Sequence, residues 1–318
     1  MHSFVKLALI ASVVLLSACG GGGGSTVASV EISASNANQI IRETEQASTV
    51  VAGFALGLGA GIFGTSAVSA AVTGSGEDVL VVSPTAVENC SSGGSVNITE
   101  GANFFDFEFN NCVNGFLDGG FIFPGVNDGG IRYTILSGNS LTDFEARIEF
   151  RNYTVGDTVF VRLNGALDVD YIEDQLAYVV DLSIPGNLDI DLDVPDNLQI
   201  GLTPLVDASY TLTSYETRLT SDLFAFTQAF NGSVLSSAYT GLAVITTPEG
   251  QGFVTDFGDL FPKSGRFIID GANGNRIRVT ANDDRQTATV DLDLDGEPGF
   301  DAGQTYIIPW VELLYGQI

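Results

Sequence analysis

Three aspartates at alternate positions closed by a glycine, Asp291-Leu-Asp293-Leu-Asp295-Gly296, carry the most specific chemistry in this 318-residue chain. Calcium loops place carboxylates at positions one, three and five, and a glycine at six where the chain turns sharply. Counted from Asp291, position seven is Glu297, where a backbone carbonyl serves. Position twelve, which should carry a bidentate acid, is Ala302; Asp301 stands one residue early, and Pro298 removes an amide inside the loop. The same run reads equally as a strand, with Val290, Leu292 and Leu294 on one face, aspartates on the wet face and an Asp-Gly turn at its end. Asp189, Asp191 and Asp193, before Pro195, repeat the alternation without any such loop. Calcium held by Asp291, Asp293, Asp295 and Asp301 is therefore one expectation, and a solvated acidic strand the other.

Other chemistries are less constrained. Paired carboxylates support glycoside hydrolysis, but 39 acidic residues give no means of choosing two that share a cleft. Tyr153, Tyr171, Tyr178 and Tyr215 suit a sugar-stacking surface, or cross-strand pairs in a sheet. Gly53, Gly57, Gly61 and Gly64 lack the lysine of a phosphate-binding loop. The only histidine, His2, lies in a segment ordered like an export signal: Lys6, then the apolar run Leu7 to Leu16, then Ser17 and Ala18. Once that segment is removed, no Ser-His-Asp or Cys-His mechanism remains available, and the commonest transition-metal ligand is gone. The composition argues against an enzyme.

Leu16-Ser17-Ala18-Cys19 resembles the lipobox of bacterial lipoproteins. The resemblance implies cleavage before Cys19 and acylation of its sulfur and new amino group. Multiple acyl chains make such an anchor durable, at ~0.8 kcal/mol per buried methylene. In that class an aspartate after the cysteine favours inner-membrane retention; Gly20 stands there instead, which points to the outer membrane. Gly20 to Gly24 read as a flexible tether. With Cys19 acylated, Cys90 and Cys112 remain as an even pair with one connectivity, a disulfide suited to an oxidising compartment.

A formal net charge of −27 excludes nucleic acid, whose binding relies on Lys and Arg against phosphates, and disfavours acidic membrane surfaces. The chain is nonetheless 45% hydrophobic and able to bury a sizeable core.

Positioning elements follow from periodicity. Residues 1–18 form the signal, 19–26 the lipidated cysteine and tether, 27–76 a short strand and an apolar helix, and 77–318 a single antiparallel β domain. Ser35 or Asn36 suits a helix N-cap, and Ile40, Ile41, Thr44, Ala47 and Val51 recur at helical spacing, with the polar residues of this half on an exposed face. Residues 50–72 carry no charge and a glycine stripe, which suits a helix packed on the protein's own sheet better than a membrane span. From Asp78 the period becomes two, in short β-branched and aromatic runs bounded by Gly, Asn, Asp or Pro. Asn114-Gly115, Asn164-Gly165, Asn231-Gly232 and Asn273-Gly274 read as type I′ hairpin turns. The expected architecture is mainly β: an antiparallel meander (a curved sheet, half-barrel or two-layer domain) with one N-terminal Gly-rich helix.

The stretch from Phe261 through the Asp291–Gly296 turn to Trp310–Leu313, with the Asn36–Asn38 helix start and the Cys90–Cys112 loop, resembles a group of Gram-negative lipoproteins to which no activity attaches. What these features suggest is a lipid-anchored envelope protein that binds an apolar or amphiphilic ligand between sheet and helix. The competing expectation is a structural or adhesive surface protein whose acidic strands bind calcium or an envelope protein.

Overall fold

In the computed structural model, residues 27–63, 86–113, 125–140, 143–174, 177–194, 199–200, 203–204, 207–222, 224–297, 299–300 and 304–315 are described. The signal, Cys19, the tether, residues 64–76, Asn114-Gly115, Pro298 and Asp301 lie outside them. The described residues form helix α1 (Ala37–Phe63), then β1 (Ala86–Asn89), β2 (Ser95–Glu100), β3 (Phe104–Val113), β4 (Val126–Ser140), β5 (Asp143–Gly156) and β6 (Phe160–Asp174). There follow β7 (Ala177–Ser183), β8 (Asn187–Asp193), β9 (Gln199–Ile200), β10 (Thr203–Pro204), β11 (Ala208–Ser221), β12 (Ala225–Ser236) and β13 (Leu242–Thr246). The chain closes with β14 (Phe253–Asp256), β15 (Arg266–Asp270), β16 (Arg276–Ala281), β17 (Thr287–Asp293), β18 (Thr305–Pro309) and a short helix α2 (Trp310–Tyr315).

Sixteen of these strands make one antiparallel sheet, and β9 and β10 pair separately. The expected meander is what forms. Most strands pair with their sequence neighbours; β7 and β8 share one lane between β6 and β11, and β13 and β14 share another beside β12. Period-two sequence explains the strands: along β5, Phe144, Ala146, Ile148 and Phe150 are buried while Asp143, Glu145, Arg147 and Glu149 face outward.

A line of irregularities crosses the sheet. The β3–β4 register shifts between Phe109 and Cys112, β4–β5 between Asp128 and Gly130, β5–β6 between Phe150 and Tyr153, and β11–β12 between Thr213 and Glu216. Pairing joins these sites from lane to lane through Phe109↔Gly129, Gly130↔Arg151, Phe150↔Gly165, Gly165↔Leu188 and Glu216↔Asn231. Each bulge bends its strand and increases local twist, so long strands bend along one common crease. Asn164-Gly165 and Asn231-Gly232, expected as hairpin turns, lie inside β6 and β12 on this crease. Their glycines have φ of +132° and +144°. The extra residues of these bulges belong to the facing strands, where Asn152 and Ser214 each have φ of +48°, and the glycines stand across from them. Asn273-Gly274 does form its hairpin turn, with φ of +59° and +79° and the Asn275 N–H donating to the Ala272 carbonyl at 3.0 Å.

Residues 27–32 run extended rather than as a full strand. The Val30 N–H donates to the Leu242 carbonyl at 2.9 Å, and the Leu242 N–H to the Ala28 carbonyl at 2.8 Å, a parallel bridge onto the start of β13. Asn36 precedes α1, but its side chain reaches backward: Oδ1 accepts from the Ser33 N–H at 2.8 Å, and Nδ2 donates to the Glu31 carbonyl at 2.8 Å. It fixes the turn into the helix rather than capping it. Ile40, Ile41, Thr44, Ala47 and Val51 are buried as their spacing requires, and α1 packs on β11, β12, β13 and α2. Among the described residues no helix is long and apolar enough to cross a membrane. Cys90 and Cys112 are joined in a disulfide, tying the loop after β1 to β3.

Candidate functional site

Polar side chains fasten α1 to the sheet. The expected exposed polar face is a correction here, because Glu43 and Ser48 are buried beside Thr44, whose burial the helical spacing required. The Tyr210 hydroxyl donates to Glu43 Oε2 at 3.0 Å and the Ser236 hydroxyl to the same oxygen at 3.1 Å. Thr44 and Ser48 turn their hydroxyls back onto the carbonyls of Ile40 and Thr44, at 2.7 and 2.8 Å. Such back-bonding lets a polar residue occupy an apolar interface at little cost. Gln39 donates to the Ala238 carbonyl, and the Tyr306 hydroxyl to Asn38 Oδ1.

Glu45 and Thr49 of α1 line a cavity of about 470 Å³. This lies within the ~300–1,000 Å³ typical of small-molecule sites. Its sheet wall is Leu219, Phe226 and Phe253, with Gln228 and Thr255 beside them. Trp310 and Leu314 of α2 form the end, and Leu260, Phe261 and Pro262 the loop side. Trp310 meets Phe253 edge-on, with ring centroids 5.7 Å apart, and stacks on Phe261 at 6.4 Å. Leu260 lines this space while remaining 88% exposed, so the cavity opens to solvent at the 260–262 loop. Phe224 and Phe257, both exposed, stand on neighbouring turns, where the Phe257 N–H donates to the Phe224 carbonyl at 2.8 Å.

One ionisable carboxylate lines the cavity. Glu45 accepts from the Thr49 hydroxyl at 3.2 Å, and no lysine or arginine among the described residues bridges to it. Glu45 is half-buried, and its loss of water raises its proton affinity above that of an ordinary glutamate, with the Thr49 hydrogen bond opposing.

The described part of the acidic run at β17 is paired with arginines. Asp291 and Asp293 stand directly across from Arg278 and Arg276 of β16. Arg278 Nη2 lies 2.8 Å from Asp291 Oδ2, and Arg276 Nη2 2.5 Å from Asp293 Oδ2. Thr305 donates its hydroxyl to Asp291 Oδ1 at 2.6 Å, and Asp295 accepts from the Glu297 N–H at 2.9 Å. The guanidinium carbons of Arg278 and Arg276 lie 4.2 and 5.0 Å from the Phe300 ring centroid. Asp291 and Asp293 are consequently buried, against the expectation of a wet face. Among the described residues, no three His, Cys, Asp or Glu side chains are grouped to hold a metal ion. Arg276 and Arg278 share the two-residue spacing of the aspartates, and that was the signal for this pairing.

The four tyrosines divide between core and cavity. Tyr153 and Tyr215 are fully buried; Tyr153 donates its hydroxyl to the buried Asn127 side chain. Tyr171 stacks between Phe144 at 5.2 Å and Tyr178 at 6.4 Å, and Tyr178 reaches the cavity. On the opposite face of the sheet, Glu145, Asp170 and Asp181 are direct cross-strand neighbours in an open groove. Desolvation first, and then the Glu145, Asp181 and Asp143 charges, raise the proton affinity of Asp170.

No family model matches this chain, and no curated protein or solved structure matches it either.

Proposed function

We propose that this chain is a lipid-anchored envelope protein, held at the outer membrane through Cys19, that carries an apolar or amphiphilic ligand between its sheet and α1. The observation that carries the reading is the aromatic cavity of about 470 Å³ beside Glu45 and Thr49. A protein of purely structural role would fill such a space with side chains, because interiors pack like organic crystals and lost contacts cost stability. The opening at Leu260 gives a hydrophobic occupant a route that avoids unfolding the sheet.

The test is the native mass of the body from Ser25 onward, expressed without its anchor and purified without detergent. A lipid-sized mass excess, lost on organic extraction, supports carriage. A clean polypeptide mass removes it and leaves the second reading, an adhesive surface protein. That alternative draws on the acidic row Glu145–Asp170–Asp181 on the outer face, which suits a basic partner.

A further inference from the structure

The cavity differs from a general apolar store in its charge. Its described lining contains no Lys, Arg or His, and Glu45 stands in it with one hydroxyl donor and no counter-ion. Glu45 is half-buried among apolar lining residues, and a carboxylate that has lost part of its water gains from an opposite charge beside it. Tyr178, Phe226, Phe253, Phe261 and Trp310 all line the space, and aromatic rings attract cations through their quadrupoles. The whole chain, at −27, draws cations toward its surface and repels anions.

Resting on the carrier reading above, we infer that the cavity takes a cationic amphiphile, an ammonium group on an apolar tail, with Glu45 as its counter-charge. The tail occupies the space between Leu219, Phe253 and Leu314, and the ammonium meets the Glu45 carboxylate. A fatty-acid headgroup finds no cation in the described lining and meets a like charge. The raised proton affinity of Glu45 agrees with a carboxylate that lacks its partner in the empty cavity. An ammonium beside it restores the ionised form.

Trp310 is the only tryptophan in the chain and lines the cavity, so its fluorescence reports occupancy directly. The full chain, in nanodiscs of zwitterionic lipid, is titrated with three ω-brominated dodecyl probes: a trimethylammonium, an alcohol and a carboxylate. Free probe is corrected against empty discs. Quenching by the ammonium is expected at about tenfold lower free concentration than by the carboxylate, with the alcohol between them. In Glu45→Gln that spread should shrink to about twofold, with the alcohol unchanged. A carboxylate that quenches as well as the ammonium overturns the charge assignment and leaves the cavity reading standing. An ammonium preference untouched by Glu45→Gln overturns the role of Glu45. Absence of quenching by all three probes overturns the carrier reading itself. The wild-type ranking decides the charge preference even where the variant misfolds.

Discussion

Gly165 sits so close to Asn187 that a β-carbon placed on it would stand 2.3 Å from the Asn187 carbonyl oxygen. Its φ of +132° is equally unsuited to a side chain. Gly165→Ala is therefore expected to cost about 1–3 kcal/mol through strain, and more where the neighbouring strand must shift. Gly232, whose β-carbon would meet the Tyr215 Cα at 2.5 Å, should behave alike. Gly186 has open space around the same position and serves as the control. Urea midpoints of the three alanine variants decide the matter: equal midpoints would mean that the crease tolerates ordinary residues.

The helix clamp makes a second prediction. Tyr210→Phe leaves the buried Glu43 with the Ser236 hydroxyl as its remaining hydroxyl donor. Hydrogen bonds to a charged group contribute ~1.5–3 kcal/mol each, so a loss of that size is expected. Because both residues share one interaction, Glu43→Gln combined with Tyr210→Phe should cost less than the sum of the single changes. Strict additivity in a denaturation cycle would show that the contact contributes nothing.

At β17, removing Asp293 strands the partly buried Arg276. Asp293→Ala is expected to lower stability by roughly 2–3 kcal/mol, below the ~3–5 kcal/mol of a fully buried pair because Arg276 keeps some solvent. With both aspartates already neutralised by guanidinium groups, the melting temperature should be the same in calcium as in chelator. A calcium-dependent rise that Asp291→Ala abolishes would support the metal loop instead.

Acid titration tests the outer face. A carboxyl whose proton affinity is higher folded than unfolded destabilises the fold while it is ionised. Relief begins as pH falls through the raised folded value and is complete below the ordinary carboxylate range. Asp170→Asn is therefore expected to raise the urea midpoint at neutral pH, and its advantage should shrink as acid protonates the wild-type carboxyl. Midpoints that differ by the same amount at every pH would show that neither desolvation nor the Glu145 and Asp181 charges raise the proton affinity of Asp170 in the fold.

The strands were legible because burial in a sheet imprints period two, and runs such as Phe144 to Phe150 carry it without interruption. The buried face of α1 was legible for the same reason at helical period. The crease was not, since Asn164-Gly165 reads as a turn from its own residues, and only the partner strand reveals the bulge at Asn152 that it faces. Nor was the cavity. Glu43 and Glu45 sit in a polar stretch that looks solvated until Tyr210, Ser236 and Trp310 arrive from the far side of the sequence. The pairing of Asp291 and Asp293 stood between these extremes. Arg276 and Arg278 announce it by matching spacing, but an acid-rich chain offers many unrelated matches.

The meander also governs the order in which the chain can assemble. Most neighbouring strands follow one another in sequence, so the sheet can grow strand by strand as the polypeptide emerges, with little loop entropy lost at each addition. The segment that carries Val30 and Glu43 cannot join until β13 and the turn at Ala272 exist, since Val30 bonds to both Leu242 and Ala272. The earliest residues of the described chain are thus bound to dock among the last. The helix covers the space beside it only at the end of folding, and the gap at the 260–262 loop is then the way in that stays open.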